Sequence, residues 1–372
     1  MRILWLDAFH AGSHKAVATG YAAHSAHQVT VIGLPQDGGW RWRMRGAALS
    51  FVRMVRERFG DVPLYQQFDV LVVTDMCDVA TLLGVGRQLF AGLPVALYMH
   101  ENQLTYPLPA GRKLDLTWPW MNYTSMVAAD LICFNSDFHR QSLLKALPSL
   151  PRRFHDYHEV AFVENLAVRS CVLYPGIDLH RLDVTDAADA PAAQKGAPTV
   201  LWNSRWDYDK QPLVFLQAVS EVIARGHDLR LIVLGEYVDQ QAEVFEEYRQ
   251  KLADYTIHWG YVPDMARYCT LLHQADIVVS AAIQEFFGIA VIEAAYAGAV
   301  PLLPRRLTYP ELLPSDYHAD CLYDDDEALA DGLVHLLHRH GQIDRQALRA
   351  WALRFDWQQM APTYDIALAG MV

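Results

Sequence analysis

Short apolar runs alternate with longer amphipathic stretches along the whole chain. Residues 2–7, 28–34, 68–74, 95–99 and 130–134 read as buried parallel strands, with helical stretches between them. Residues 171–178 close this half. From 183 to 198 the pattern breaks into Ala, Asp, Pro, Gly and Gln, which reads as a linker. The alternation resumes with strands at 199–202, 229–234, 257–261, 277–280 and 300–303. A last amphipathic stretch, 347–372, carries Trp351, Phe355, Trp357 and Tyr364. The pattern predicts an α/β chain of two Rossmann-like halves. The boundaries are 1–182, a linker at 183–198, 199–350, and a terminal helix at 351–372.

Polar groups crowd the C-terminal ends of these strands, where open parallel sheets place their sites. Gly12, Ser13 and His14 follow the first strand, and His100, Glu101, Asn102 and Gln103 follow the strand at 95–99. In the second half Asn203, Arg205 and Lys210 follow the strand at 199–202, Gly235 ends the next, and Tyr261 and Val262 follow Gly260. The stretch after residue 280 is the most informative. Glu285, Phe286, Phe287 and Gly288 lead into a helix that carries Glu293 and ends near Gly298. A helix start of this kind presents unpaired N–H groups and a positive dipole end, which suits a phosphate. Two helical turns and a little more separate Glu285 from Glu293, so the second acid can face back toward the loop. A solvated pair of acids has the same spacing.

Charge is uneven. Residues 1–180 hold 16 Lys+Arg against 15 Asp+Glu, and the remainder 15 against 28. Uniform acidity disfavours nucleic acid; here only the second half is acidic. Between 40 and 58 there are six arginines and one acid, with Trp40 and Trp42 interleaved among Arg41, Arg43 and Arg45. Guanidinium groups grip phosphates and aromatic faces stack on bases, so this segment suits an RNA backbone. An amphipathic helix with its tryptophans in the core fits the same residues. The five cysteines are scattered without CxxC spacing and read as reduced thiols of a cytoplasmic protein. No apolar run is long enough to suggest membrane insertion.

The Glu285-x7-Glu293 stretch, with Phe287-Gly288 and Glu293-Ala294, resembles the donor-site motif of retaining glycosyltransferases of the GT-B fold. That resemblance implies two Rossmann-like domains facing a central cleft, with the terminal helix crossing back to the N-terminal domain. It implies that Glu285 lies by the transferred sugar, that Glu293 holds the nucleotide ribose, and that the amides of Phe286, Phe287 and Gly288 meet the diphosphate. Arg205 and Lys210 match the family's diphosphate clamp, His100 its histidine beside the sugar, and Tyr261 with Val262 a loop bordering the base. Gly12 and Ser13 match a loop bordering the cleft. No metal and no cofactor are implied. The bare DxD patterns at Asp207–Asp209 and Asp324–Asp326 are too short to be specific.

A narrower resemblance spans nearly the whole chain. Ala8-Phe-x-x-Gly-Ser-His-Lys15, Trp40-x-Trp-Arg-x-Arg45, His100-Glu-Asn-Gln103, Phe134-Asn-Ser136, Arg205-Trp-x-x-Asp-Lys210, His258-Trp-Gly-Tyr261 and Glu285-Phe-Phe-Gly288 are together similar to the tRNA-queuosine α-mannosyltransferases. This implies mannose transfer from GDP-mannose to the cyclopentenediol of queuosine in a tRNA anticodon. His14, Trp40, Arg41, Arg43, Arg45, Glu101, Asn102 and Gln103 are then the acceptor-side residues. Two other readings stand beside it. A GT-B enzyme with a lipid or saccharide acceptor would not need the arginine-tryptophan segment. An inactive RNA-binding scaffold would be expected to lack Arg205, Lys210, Glu285 or Glu293.

Overall fold

The computed structural model describes residues 1–36, 39–109, 111–156, 158–183, 196–236 and 242–372. The chain forms two compact units, Met1–Ile177 with Trp357–Val372, and Asp178–Asp356. Most of the expected linker at 183–198 lies outside the described residues.

The first unit is built on strands β1 (Arg2–Asp7), β2 (Gln28–Gly33), β3 (Val70–Thr74), β4 (Val95–Met99), β5 (Leu131–Phe134) and β6 (Ser170–Val172). They form a parallel sheet in the order β2-β1-β3-β4-β5-β6. The strands read as unbroken apolar runs because both faces are covered. Ile3, Trp5, Val70 and Val72 point into one core, and Leu4, Leu6, Leu71 and Val73 into the other. The arginine-tryptophan segment is one helix, Gly39–Phe59, which buries Met44, Ala47, Ala48, Phe51, Val52 and Val55.

The second unit repeats the plan with β7 (Thr199–Asn203), β8 (Arg230–Leu234), β9 (Thr256–Gly260), β10 (Ile277–Val279), β11 (Val300–Pro304) and β12 (Leu322–Tyr323). Their order is β12-β11-β10-β7-β8-β9, and every pairing is parallel. Strand β12 has no counterpart in the sequence reading, because two residues leave no periodicity to read.

The stretch expected as one terminal helix from 351 is two helices, Arg345–Leu353 and Trp357–Ala369. The break between them carries Asp356, which is buried and accepts a hydrogen bond from the Leu179 amide at 3.1 Å. The helix Trp357–Ala369 returns to the first unit. There the Tyr21 hydroxyl, the Ser25 hydroxyl and the Ala26 amide all donate to Asp365.

No helix among the described residues is long and apolar enough to cross a membrane.

Candidate functional site

In the second unit β10 ends at Val279, and the chain turns through Gln284 and Glu285 before the helix Ile289–Tyr296 begins. Gly288 is the N-cap, at φ 95°. A Cβ there would be strained in the left-handed region and would crowd the Tyr309 ring at 3.2 Å. Phe286 and Phe287 are buried, and the Phe287 ring meets Phe355 edge-on at 5.3 Å. What these two phenylalanines offer a ligand is therefore their backbone.

Lys210 reaches this loop from the segment after β7. Its ammonium donates to the Gln284 carbonyl at 2.7 Å and to Glu285 Oε2 at 3.1 Å, and it lies 3.2 Å from Asp209 Oδ2. Burial alone would favour the neutral amine. Glu285 and Asp209 outweigh it and hold the Lys210 pKa above the usual lysine value. The ammonium is thus fixed in its charged form within the strand–loop–helix unit that carries Glu285. Arg205 lies five residues earlier and is exposed. Sequence spacing places the two cations on one loop, and the structure gives them different surroundings. Gly235, at the end of β8, has φ 131°, and a Cβ there would fall 1.8 Å from the Ser204 carbonyl oxygen. Only glycine lets the two loops pass at this distance. Tyr261 is exposed after β9, with Val262 half-buried beside it.

Glu293 is buried and faces two donors. Oε1 accepts from Arg181, and Oε2 accepts from the Tyr268 hydroxyl at 2.7 Å. That hydroxyl in turn accepts from Asn203 Nδ2 at 2.8 Å. Burial, reinforced by Glu293, pushes the Tyr268 pKa well above the usual phenol value. Tyr268 therefore stays a donor. Burial pulls the Arg181 pKa down, but Glu293 overrides it and leaves it raised. Sequence reasoning found Glu293 and Asn203 and missed Arg181 and Tyr268. Arg181 is 112 positions from its partner, and no local spacing signals it. We expect Tyr268→Phe, which removes one donor from a buried carboxylate, to weaken nucleotide-sugar binding about tenfold, with little change in kcat. Steady-state kinetics against varied donor measure this, and a loss confined to kcat would contradict it.

In the first unit the polar groups gather at the C-terminal edge of the sheet, as expected for this topology. Asp7 ends β1, Asp75 follows β3, His100 follows β4 and Asn135 follows β5. The His100 amide donates to Asp75 Oδ1 at 3.0 Å, and Asn135 Nδ2 donates to the His100 carbonyl at 2.8 Å. The His14 ring stacks on that of His100, with centroids 3.8 Å apart and planes inclined by 25°. His100 Nε2 and His14 Nδ1 are buried and have no hydrogen-bond partner among the described residues. Gly12 and Ser13 are exposed at the start of the first helix, Gly12–His24.

Asp75, His14 and His100 bring one potential ligand atom each within 4.8 Å of the others. Near-parallel stacked imidazoles aim their in-plane lone pairs side by side rather than at one point, which is a poor donor set for a metal.

Burial holds both imidazoles neutral. It pushes the His14 pKa down to about 4 and that of His100 well below the usual value. The His139 pKa is likewise lowered, to about 3, by burial. Asp75 moves the other way: burial, then the Glu101 charge, raises its pKa well above the carboxylate range. The sign of the pH dependence follows. Below about 6.5 the unfolded chain protonates three imidazoles that the folded unit leaves neutral, which lowers stability as pH falls. Asp75 opposes this with a single proton. Thermal melts should therefore show a lower Tm at pH 5.5 than at pH 7.5, and a flat or reversed trend would contradict the neutral cluster.

The acceptor-side residues divide. Asn102 is fully buried and holds its own loop, accepting from the Leu104 and Thr105 amides and donating to the Thr105 hydroxyl. Its amide is occupied in building a turn. Gln103 donates to Glu101 at 2.8 Å, and its amide donates to Asn122 Oδ1. Arg43 is half-buried and donates to the Pro35 carbonyl at 2.6 Å, so it braces the helix start rather than facing outward. Trp40 is half-buried against the core, edge-on to Trp118 at 5.6 Å. Arg41, Trp42 and Arg45 are exposed. The helix therefore packs Trp40 and Arg43 inward and leaves Arg41, Trp42 and Arg45 exposed.

Comparison with known proteins is consistent with this geometry. A family profile described as the tRNA-queuosine alpha-mannosyltransferase N-terminal domain matches residues 2–177, and one described as glycosyl transferases group 1 matches residues 197–339. The chain is similar to the tRNA-queuosine alpha-mannosyltransferase of Drosophila melanogaster, at 29% identity over 336 residues, covering 89% of this chain and 85% of that one. It is also similar to the GDP-mannose:cellobiosyl-diphosphopolyprenol alpha-mannosyltransferase of Xanthomonas campestris, at 27% identity over 52% of this chain and 50% of that one. Among solved structures, sucrose-phosphate synthase from Thermosynechococcus elongatus aligns with a TM-score of 0.74 at 14% identity, covering 100% of this chain and 99% of that one. Anabaena HepE in complex with UDP aligns at 0.70 and 15% identity over the whole of both chains. At these identities the structural likeness establishes the fold alone.

Proposed function

We propose that this glycosyltransferase of the GT-B fold, whose first half matches the tRNA-queuosine alpha-mannosyltransferase N-terminal profile and whose second half matches glycosyl transferases group 1, mannosylates queuosine. The donor is GDP-mannose, the acceptor the cyclopentenediol of queuosine in a tRNA anticodon, and the anomeric configuration is retained. The observation that carries the reading is the nearly buried ammonium of Lys210 fixed beside Glu285 at the start of a helix whose own Glu293 is paired with Arg181 and Tyr268.

The chemistry is electrostatic. Departure of a nucleoside diphosphate leaves negative charge that needs cations and N–H donors already in place. Lys210 and the amides at the start of the helix Ile289–Tyr296 supply them, with Arg205 from the exposed end of the same loop. Each ammonium proton of Lys210 has an acceptor nearby, so a phosphate oxygen enters by exchange. Glu285 gives up its hold on Lys210 and becomes free to accept from a sugar hydroxyl. Glu293 keeps one lone pair on each oxygen for the ribose. In the first unit His100 Nε2, buried and neutral, is suited to hydrogen-bond a hydroxyl group. No metal or cofactor has a part in this scheme. An acceptor of this class places the enzyme in the cytoplasm.

The test is transfer of labelled mannose from GDP-mannose into queuosine-containing tRNA, with unmodified tRNA, UDP- and ADP-sugars, and a polyprenyl-diphosphate saccharide as parallel arms. Label in queuosine tRNA alone supports the proposal. Label only in the lipid-linked saccharide would reassign the acceptor, and failure of any GDP-sugar to raise the Tm would remove the donor.

A further inference from the structure

We propose that the RNA-binding face of the first unit extends well beyond the arginine-tryptophan helix, to a second aromatic platform formed by Trp120 and Phe154 and flanked by Arg152 and Arg153, and that this platform stacks unpaired bases. The inference rests on the tRNA reading above and adds where, and in what form, the acceptor is held.

The helix Thr117–Ala128 joins the two patches. Near its start Trp118 is buried, and two neighbours from the arginine-tryptophan helix lie on it. Trp40 meets it edge-on, and the Arg45 guanidinium sits 4.8 Å from its ring centroid. Two residues on, Trp120 is exposed and packs edge-on against the exposed Phe154 ring at 5.0 Å. Arg152 and Arg153 precede Phe154 and are exposed, as are Arg112 and Lys113 in the loop before the helix. The start of one helix thus joins two exposed patches, meeting residues 40 and 45 through Trp118 and residue 154 through Trp120.

Its composition selects the partner. Trp42, Trp120 and Phe154 are 61%, 36% and 47% exposed. Exposed in the same stretches are Arg41, Arg45, Arg112, Lys113, Arg152 and Arg153, against the exposed acids Asp115, Asp156 and Glu159. An apolar partner would not call for six cations, and an acidic peptide would not call for three exposed rings. A polyanion with π-faces meets both demands, and in RNA those faces are available where bases are unstacked.

The same helix connects this face to the site. Asn122, one turn beyond Trp118, accepts from the Gln103 amide at 3.0 Å and donates to the Asp75 carbonyl at 3.2 Å. The loop after His100 and the aromatic platform are therefore carried by one rigid element, which suits a base that must be presented out of its stack.

The experiment uses the full-length protein and two labelled RNAs, an anticodon stem-loop and a blunt duplex of the stem alone. Binding is measured by anisotropy over a range of salt. Removing both rings (Trp120→Ala with Phe154→Ala) should weaken stem-loop binding about tenfold, leave the duplex unchanged and leave the salt slope unchanged. Trp120→Phe should restore most of the loss. Arg152→Ala with Arg153→Ala should weaken both RNAs and flatten the slope. Both side-chain pairs are exposed, and a Tm equal to wild type shows that the fold is kept. Undiminished stem-loop binding by the ring-less variant overturns the proposal, as does an equal loss for the duplex. A change in sedimentation in place of RNA affinity would assign the face to a second copy of the chain. Wild-type protein that binds neither RNA would instead overturn the tRNA reading itself.

Discussion

Lys210→Ala should lower kcat/KM for sugar transfer by about 100- to 1000-fold, the loss expected when one preformed donor to a developing oxyanion is removed. Lys210 is nearly buried, with a side chain 12% exposed, and no other cation is recorded within ion-pair distance of Glu285 among the described residues. The truncation leaves Asp209, itself fully buried, and Glu285 facing each other without the ammonium between them. Some of the effect will therefore appear as lost stability. Two comparisons separate the parts. Glu285→Gln keeps the cation and removes one of its anchors, so it should be milder in stability while still affecting the sugar. Lys210→Arg keeps the charge but brings a planar fork into a space shaped by a carbonyl and two carboxylates, and should not restore turnover. Single-turnover transfer, with melts of each variant, resolves these outcomes. If Lys210→Ala retains wild-type turnover, the phosphate assignment fails.

The same residues show what could be read in advance. The strand–helix alternation declares the two sheets, because parallel strands covered on both faces leave unbroken apolar runs such as residues 2–7 and 70–74. The strand–loop–helix unit that carries Glu285 and Glu293 is also legible, since a glycine ahead of a helical period marks where the helix begins. Long-range pairing is not. Nothing near Glu293 in sequence announces Arg181 or Tyr268, and nothing near His100 announces that the His14 ring stacks on it. Orientation is equally hidden. Arg43 sits between Arg41 and Arg45, and only the helix phase turns it toward Pro35 while its neighbours face outward. Asn102, in a run of four polar residues, is the one whose amide closes the turn. A run of polar residues at a strand end marks a site without saying which members build it and which meet the ligand.

Trp357→Ala should destabilise the first unit by about 3–5 kcal/mol, the range for truncating a large buried aromatic. Trp357 is 1% exposed, and its ring fills a slot between two glycines. A Cβ at Gly20 would fall 2.0 Å from its Nε1, and one at Gly176 would fall 2.2 Å from its Cδ2. The backbone therefore approaches the indole on two sides, and the slot has little room to collapse after truncation. The expected partner result is that Gly176→Ala also destabilises, by overpacking. The consequence reaches the end of the sheet that carries His100. On the same helix the Tyr364 hydroxyl donates to that of Tyr98 at 2.8 Å, and the Tyr98 ring meets His100 edge-on at 4.7 Å. The return helix thus supports the histidine through a strand residue. Trp357→Ala should lower both Tm and transfer activity, whereas Tyr364→Phe, which deletes only the hydroxyl, should lower activity more than Tm. Urea unfolding with label-transfer rates on the same samples measures both. Equal stability of Trp357→Ala and wild type would mean that the C-terminal helix is not part of the first unit's core.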